Sequence, residues 1–182
     1  MVSREQRYLE VYQEVTRLIS MLRDPQQVME LVVRNLPGLL DVDAATIRLL
    51  DKPTNSFVLG ASFGLSQEYL ARPTIDLDRV LEKVRSGQPI ARTGIVFPCD
   101  QDSSKSVRRE GIKSVLSLPI TYNDEVIGIL RLLTKKPRDF KETETSFAMS
   151  LAEQVGIALS NSRLFQEQRH QLTFFQELRT IS

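Results

Sequence analysis

The stretch from Ile112 to Thr134 constrains this chain more than any other. Ile112–Tyr122 and Val126–Thr134 are two apolar-rich runs joined by Asn123-Asp124-Glu125, a short polar linker of turn-forming residues. That combination predicts a β-hairpin, and a hairpin is antiparallel by construction, whereas parallel strands need a long crossover. Two more strands, Ala44–Leu50 and Phe57–Phe63, flank the turn-rich Asp51-Lys52-Pro53-Thr54-Asn55-Ser56, and Pro89–Val96 reads as another. The expected class is therefore α+β with a largely antiparallel sheet, not a doubly wound parallel one.

Helical periodicity brackets the strands. Tyr8, Val11, Val15, Leu18 and Leu22 form a short a/d pattern within Arg4–Leu22. Asp24-Pro25 interrupts it and opens a second helix to about Leu40, with Val28, Leu31, Val32, Leu36 and Leu39 on its buried side. Ser66 is placed to cap a short helix to about Ala71, and Asp76 another ending at Gly87. Pro98–Glu110 is polar and aperiodic, a loop with a short helix. From Thr143 onward one proline-free helical pattern runs for roughly 35 residues, about 50 Å. In it Leu151, Ala158, Phe165 and Leu172 recur at heptad spacing, alternating with Gln154, Asn161, Gln168 and Phe175. A helix this long with a partly polar seam is expected to serve as a dimer stalk. Its end also echoes the first helix: Leu9, Val11, Tyr12, Gln13, Glu14, Val15 and Leu18 align without gaps with Leu172, Phe174, Phe175, Gln176, Glu177, Leu178 and Ile181. Such an echo fits a second module beginning where this chain stops. The expected organisation is a linker and dimerisation helix over 1–23, a domain over 24–165, and a stalk helix over 166–182.

Composition narrows the function. A net charge of +1 argues against nucleic acid or an anionic membrane as partner. One cysteine, Cys99, cannot form an internal disulfide, so a reducing, cytoplasmic setting is expected. No apolar run approaches the ~20 residues of a membrane span. No phosphate-binding glycine loop, metal-ligand cluster or nucleophile–base pair appears, so no catalytic residue is assigned.

Strand alternation sorts side chains by face. Thr46, Arg48 and Leu50 share one side of their strand, opposite Ile47 and Leu49. Val115, Ser117 and Pro119 oppose Leu116, Leu118 and Ile120; Ile127, Ile129, Arg131 and Leu133 oppose Gly128, Leu130 and Leu132. The wholly apolar set is expected to bury against the terminal helices. Thr46, Arg48, Ser117 and Arg131 fall on the other face, where two arginines suit a carboxylate or phosphate, or else pair with nearby acidic side chains.

Gly111-Ile-Lys-Ser-Val-Leu-Ser-Leu-Pro119-Ile, then Val126-Ile-Gly128-Ile-Leu-Arg131, then Phe140 and a helix with Leu151-Ala152-Glu-Gln-Val155-Gly-Ile-Ala158-Leu and Asn161, together resemble the GAF domain family. Ala45-Thr-Ile-Arg48-Leu-Leu and Ala61-Ser-Phe-Gly64-Leu resemble its first hairpin, so the likeness covers about Leu9 to Phe165. It implies a GAF/PAS-like antiparallel sheet with terminal helices on one face and a ligand pocket on the other. By their place in the family pattern, Phe63, Val96, Phe97, Cys99 and Asp100 join Thr46, Arg48, Ser117 and Arg131 as candidates to line or roof that pocket. It further implies a regulatory domain, of the kind that accompanies histidine kinases and other signalling outputs, acting as a homodimer covalently linked to an output or second sensory module.

The same resemblance limits the chemistry. GAF-type enzymes that reduce free methionine sulfoxide need several cysteines, and this chain has one. Bilin-binding relatives attach the chromophore at a cysteine often followed by histidine. Cys99 precedes Asp100, and the one histidine, His170, sits in the stalk, which argues against both bilin and haem. Of the cyclic-nucleotide pattern only Phe140 and Glu144 fit. No cofactor is identified; a small-molecule or anionic ligand is the open option, and a ligand-free scaffold used for dimerisation and relay is the alternative.

Overall fold

A computed structural model describes residues 4–21, 24–71, 84, 86–93 and 109–180. The described elements are helices α1 (Arg4–Met21) and α2 (Pro25–Leu40), strands β1 (Ala44–Asp51) and β2 (Ser56–Phe63), and the short helix α3 (Gln67–Leu70). Strands β3 (Ile90–Thr93), β4 (Ser114–Tyr122) and β5 (Glu125–Thr134) and helix α4 (Glu142–Thr180) follow. The strands form one sheet in the order β2-β1-β5-β4-β3, with every pairing antiparallel. The α+β expectation holds.

Local chemistry places the boundaries. Asp24 caps α2, accepting a hydrogen bond from Gln26 N at 3.1 Å, with Pro25 in the first turn, where a missing N–H costs least. Ser66 caps α3 through Tyr69 N at 3.2 Å. The β4–β5 hairpin turns on Asn123 and Asp124 alone, both at positive φ. Glu125, expected in the turn, already pairs with Tyr122, because a two-residue turn of this hand matches the twist of the strands. Pro119 lies where β4 has passed the end of its ladder with β3, which stops at Ser117, so its missing N–H breaks no pairing there.

The helix-bearing face is apolar at its centre, with the buried hydroxyl residues Ser114 and Thr134 paired at one end. Ala45, Ile47, Leu116, Leu118, Ile120, Leu130 and Leu132 pack against Val28, Met29, Val32, Val33 and Leu36 of α2 and Ala148, Leu151, Ala152, Val155 and Leu159 of α4. α4 lies so close to β4 that a Cβ on Gly156 would stand 2.0 Å from Thr121 O.

Two bulges move residues off their expected faces. On β2, Ile47 pairs with Ala61 and Arg48 with Leu59, leaving Gly60 as an extra residue. Phe63 therefore stands opposite Ala45, on the helix-bearing side, and is 44% exposed rather than part of a pocket wall. On β5 the extra residue is Ile127, which packs with the helix-side core while Val126 turns to the opposite face. Alternation holds only while the ladder is regular, and each bulge reverses it.

The residues expected at a dimer seam divide differently. Tyr8 stacks on Phe147 of the same chain at 4.6 Å, Gln154 donates to Tyr12 Oη at 3.1 Å, and Val15 is buried in the core. Leu151 and Ala158 are buried there too. These four seam candidates, Tyr8, Val15, Leu151 and Ala158, thus serve the chain's own core, since a heptad stripe and a core-facing stripe share the same spacing. Leu22 and the side chains of Val11, Leu18, Phe165, Leu172 and Phe175 lie outside the described residues, as does most of the helix expected to be capped by Asp76, all but its end around Val84 and Gly87. The backbone of α4 is helical to Thr180, well past Leu159, its last buried position among the described side chains.

Candidate functional site

On the face turned away from α2 and α4, the register lines up three polar side chains. Thr46 of β1 pairs with Arg131 of β5, and Arg131 pairs with Ser117 of β4. Directly opposed residues share a face, so the three form one row across the centre of the sheet. Thr46 and Ser117 are each 4% exposed. The row divides two apolar clusters. On one side Phe57, Val84 and Ile129 pack with Leu50, Ile90 and Val126. On the other, Ala44, Ile112 and Leu133 pack with Leu65, Tyr69 and Val115. A half-buried guanidinium framed by hydroxyls and apolar walls can hold a small molecule with an anionic or hydrogen-bonding group and an apolar body.

Arg48 is on the same face but plays a different part. Its guanidinium donates to the carbonyls of Phe57 and Leu70, both at 3.4 Å. Leu70 is the last residue of α3, so Arg48 ties that helix end to the sheet. Burial lowers the Arg48 pKa and the neighbouring Tyr69 partly opposes this; the group stays cationic at neutral pH.

Both ends of the segment between β3 and β4 are fastened. Thr93 Oγ1 lies 2.9 Å from Arg138 O and 2.7 Å from Asp139 Oδ1. At the other end Arg109 pairs with Glu68 at 2.9 Å, and Glu110 accepts from Ser66 N at 3.2 Å. Val96, Phe97, Cys99 and Asp100, expected to line or roof the pocket, lie outside the described residues. Of the other candidates the fold brings Thr46, Ser117 and Arg131 into one row, sets Arg48 beside it, and carries Phe63 to the opposite face. Tyr69 and Glu110, which shape the rim, were not singled out from sequence. A capping serine followed by a glutamate in α3, with basic and acidic residues before Gly111, was the available signal. Among the described residues no group of His, Cys, Asp or Glu is arranged to hold a metal ion, and no described helix is long and apolar enough to cross a membrane.

An antiparallel sheet of five described strands that carries helices α2 and α4 on one face and a framed polar row on the other defines an α+β architecture of the GAF/PAS kind. The GAF domain family profile matches residues 23–160, and the chain belongs to that family. Among solved structures it is similar to the GAF domain of a phosphoenolpyruvate-protein phosphotransferase from Coxiella burnetii, at 20% identity and TM-score 0.77, covering 91% of this chain and 99% of that one. It is also similar to residues 122 to 287 of a methyl-accepting chemotaxis protein, at 19% identity and TM-score 0.67, covering 83% and 98%. Free methionine-R-sulfoxide reductase from Neisseria meningitidis shares the fold at 16% identity and TM-score 0.69, covering 86% and 90%. Among curated proteins none matches the chain.

Proposed function

We propose that this chain is a small-molecule-sensing regulatory domain of a signalling protein, without catalytic activity of its own, that binds its ligand on the face opposite α2 and α4. Arg131 receives the ligand's anionic or polar group between the hydroxyls of Thr46 and Ser117, and the flanking apolar clusters hold its body. The observation that carries this reading is the polar row itself, two buried hydroxyls on either side of a half-buried guanidinium. Thr46 and Ser117 are each 4% exposed between two apolar clusters, and burying hydroxyls in such a setting costs stability unless they are hydrogen-bonded, which suits a site that bonds a ligand. Family membership supports a regulatory role, and a single cysteine speaks against sulfoxide reduction. Ligand state passes through α4 to a covalently linked output or second sensory module in a cytoplasmic homodimer. Roughly 20 residues of α4 beyond Leu159 would be marginal as an isolated helix and gain most from a partner.

A second reading, a ligand-free scaffold for dimerisation and relay, draws on one observation. Val84 is fully buried against Phe57 and Ile129, so the chain fills part of this face itself.

The test is thermal unfolding of the purified protein against a panel of carboxylates, inorganic phosphate and cyclic nucleotides, beside Arg131→Met. The sensing reading expects a rise in melting temperature for one compound that grows with the logarithm of its concentration above Kd, worth about 2.7 kcal/mol at a hundredfold excess over Kd, and its loss in Arg131→Met. A ligand that binds equally well to Arg131→Met, or native mass spectra and a panel that yield no ligand, would favour the scaffold.

A further inference from the structure

We propose that Arg138 joins the end of β3 to the first turn of α4, so that displacement of the chain at Thr93 is felt where the long helix begins. β3 is an edge strand held by four residue pairs with β4. Its last residue, Thr93, reaches past β4 to the connection that precedes α4, where its hydroxyl donates to Arg138 O or to Asp139 Oδ1, one proton serving either acceptor. From that peptide the bonds run on without a gap. Arg138 N donates to Ser114 Oγ at 2.9 Å, at the start of β4. The guanidinium donates to Leu40 O at 2.7 Å and Asp41 O at 2.6 Å, satisfying carbonyls at the end of α2. It also pairs with Glu144 Oε1 at 2.6 Å and lies over the Phe140 ring at 5.2 Å.

Glu144 is buried, and its second oxygen accepts from Lys141 N at 3.0 Å, the backward half of a capping box. Thr145 N then donates to Lys141 O at 2.9 Å. The guanidinium is thus shared between the end of α2 and the first turn of α4, and its own peptide is held by Thr93 and Ser114. A shift of that peptide cannot leave all of these bonds intact. Close packing around a charged, multiply bonded side chain leaves little slack to absorb the motion. The coupling exists whether or not the sheet binds a ligand, so its test requires none.

The experiment is amide hydrogen exchange by NMR on the full chain carrying Thr93→Val, a nearly isosteric change at an exposed site. Losing one hydrogen bond of ordinary net strength should speed exchange at Lys141 and Thr145 by about threefold to tenfold, with Val155 and Gly156 unchanged. In a Glu144→Gln background, Thr93→Val should add no further acceleration at those two amides. Unchanged exchange at Lys141 and Thr145 overturns the proposal, as does equal acceleration along all of α4, which reports global destabilisation, or full additivity of the two substitutions.

Discussion

Gly156→Ala should destabilise this protein although it improves a helix. Alanine is the better helix former by about 1 kcal/mol, and Gly156 lies inside α4. A Cβ there would meet Thr121 O at 2.0 Å and Thr121 C at 3.0 Å. An ordinary carbon–oxygen contact begins near ~3.3 Å, so α4 must lift from β4 by roughly 1.3 Å (3.3 minus 2.0), since the obstacle is backbone and cannot rotate aside. Overpacking of a core typically costs about 1–3 kcal/mol. The upper end applies here, because lifting α4 also loosens the buried Leu151, Ala152, Val155 and Leu159. The net loss is about 2 kcal/mol, a fall in melting temperature of roughly 4–8 °C for a chain of this size. Gly38→Ala in α2 supplies the control, with no atom within 4 Å of its added Cβ. It should gain a few tenths to about 1 kcal/mol from helix propensity alone. The assay is urea unfolding followed by circular dichroism at one protein concentration, with the slope checked for constancy. If Gly156→Ala proves as stable as the parent, α4 does not rest on the Thr121 carbonyl and the packing argument fails.

Two further outcomes follow from the same geometry. Lys52 donates to Glu125 at 2.8 Å, and this hydrogen bond, assisted by its charge, holds the Glu125 carboxyl below its ordinary pKa. A group so lowered contributes stability above its unfolded pKa and loses it as pH falls through the folded one. Carboxyl NMR titration should therefore find Glu125 titrating low in the parent and returning toward its ordinary value in Lys52→Ala; identical titrations would refute the pairing. Removing 162–182 should leave the fold intact, since among the described side chains of α4 Leu159 is the last buried, while weakening self-association in sedimentation equilibrium. A truncated chain that self-associates like the parent would place the dimer contact elsewhere.

The elements that could be read from sequence are those whose determinants are local. Asp24-Pro25 and Ser66 carry their caps within a turn of the chain, and the β4–β5 hairpin is specified by its own turn residues and alternation. The row Thr46–Arg131–Ser117 was legible for the same reason: each strand's alternation sets its face, and the ladders stay regular where the three meet. Phe63 and Ile127 were misplaced because a bulge depends on what the neighbouring strand and helix require. Gly60, for example, sits against Met29, and its carbonyl accepts from Gln26 Nε2 of α2 at 3.1 Å. Tyr8 and Val15 were read as seam residues because nothing in their spacing says that the stripe they pack against belongs to the same chain. Arg138 was invisible, because its partners, Leu40, Asp41, Ser114 and Glu144, are brought together only by the closed sheet.

The two faces of this sheet are not independent, and the reason lies in the pleat. Each member of the polar row is flanked in sequence by residues of the helix-side core: Thr46 by Ala45 and Ile47, Ser117 by Leu116 and Leu118, Arg131 by Leu130 and Leu132. All six flanking side chains are essentially inaccessible to solvent and belong to the cluster that seats α2 and α4. A strand cannot shift at the row without carrying those neighbours with it. An interior packed at crystal-like density passes on such a shift rather than absorbing it. The Arg138 joint adds a second connection, from the sheet's edge to the start of α4. A ligand that preferred one position of the row would therefore bias the seating of the helix that leaves the domain, in proportion to its unequal affinity for the two positions.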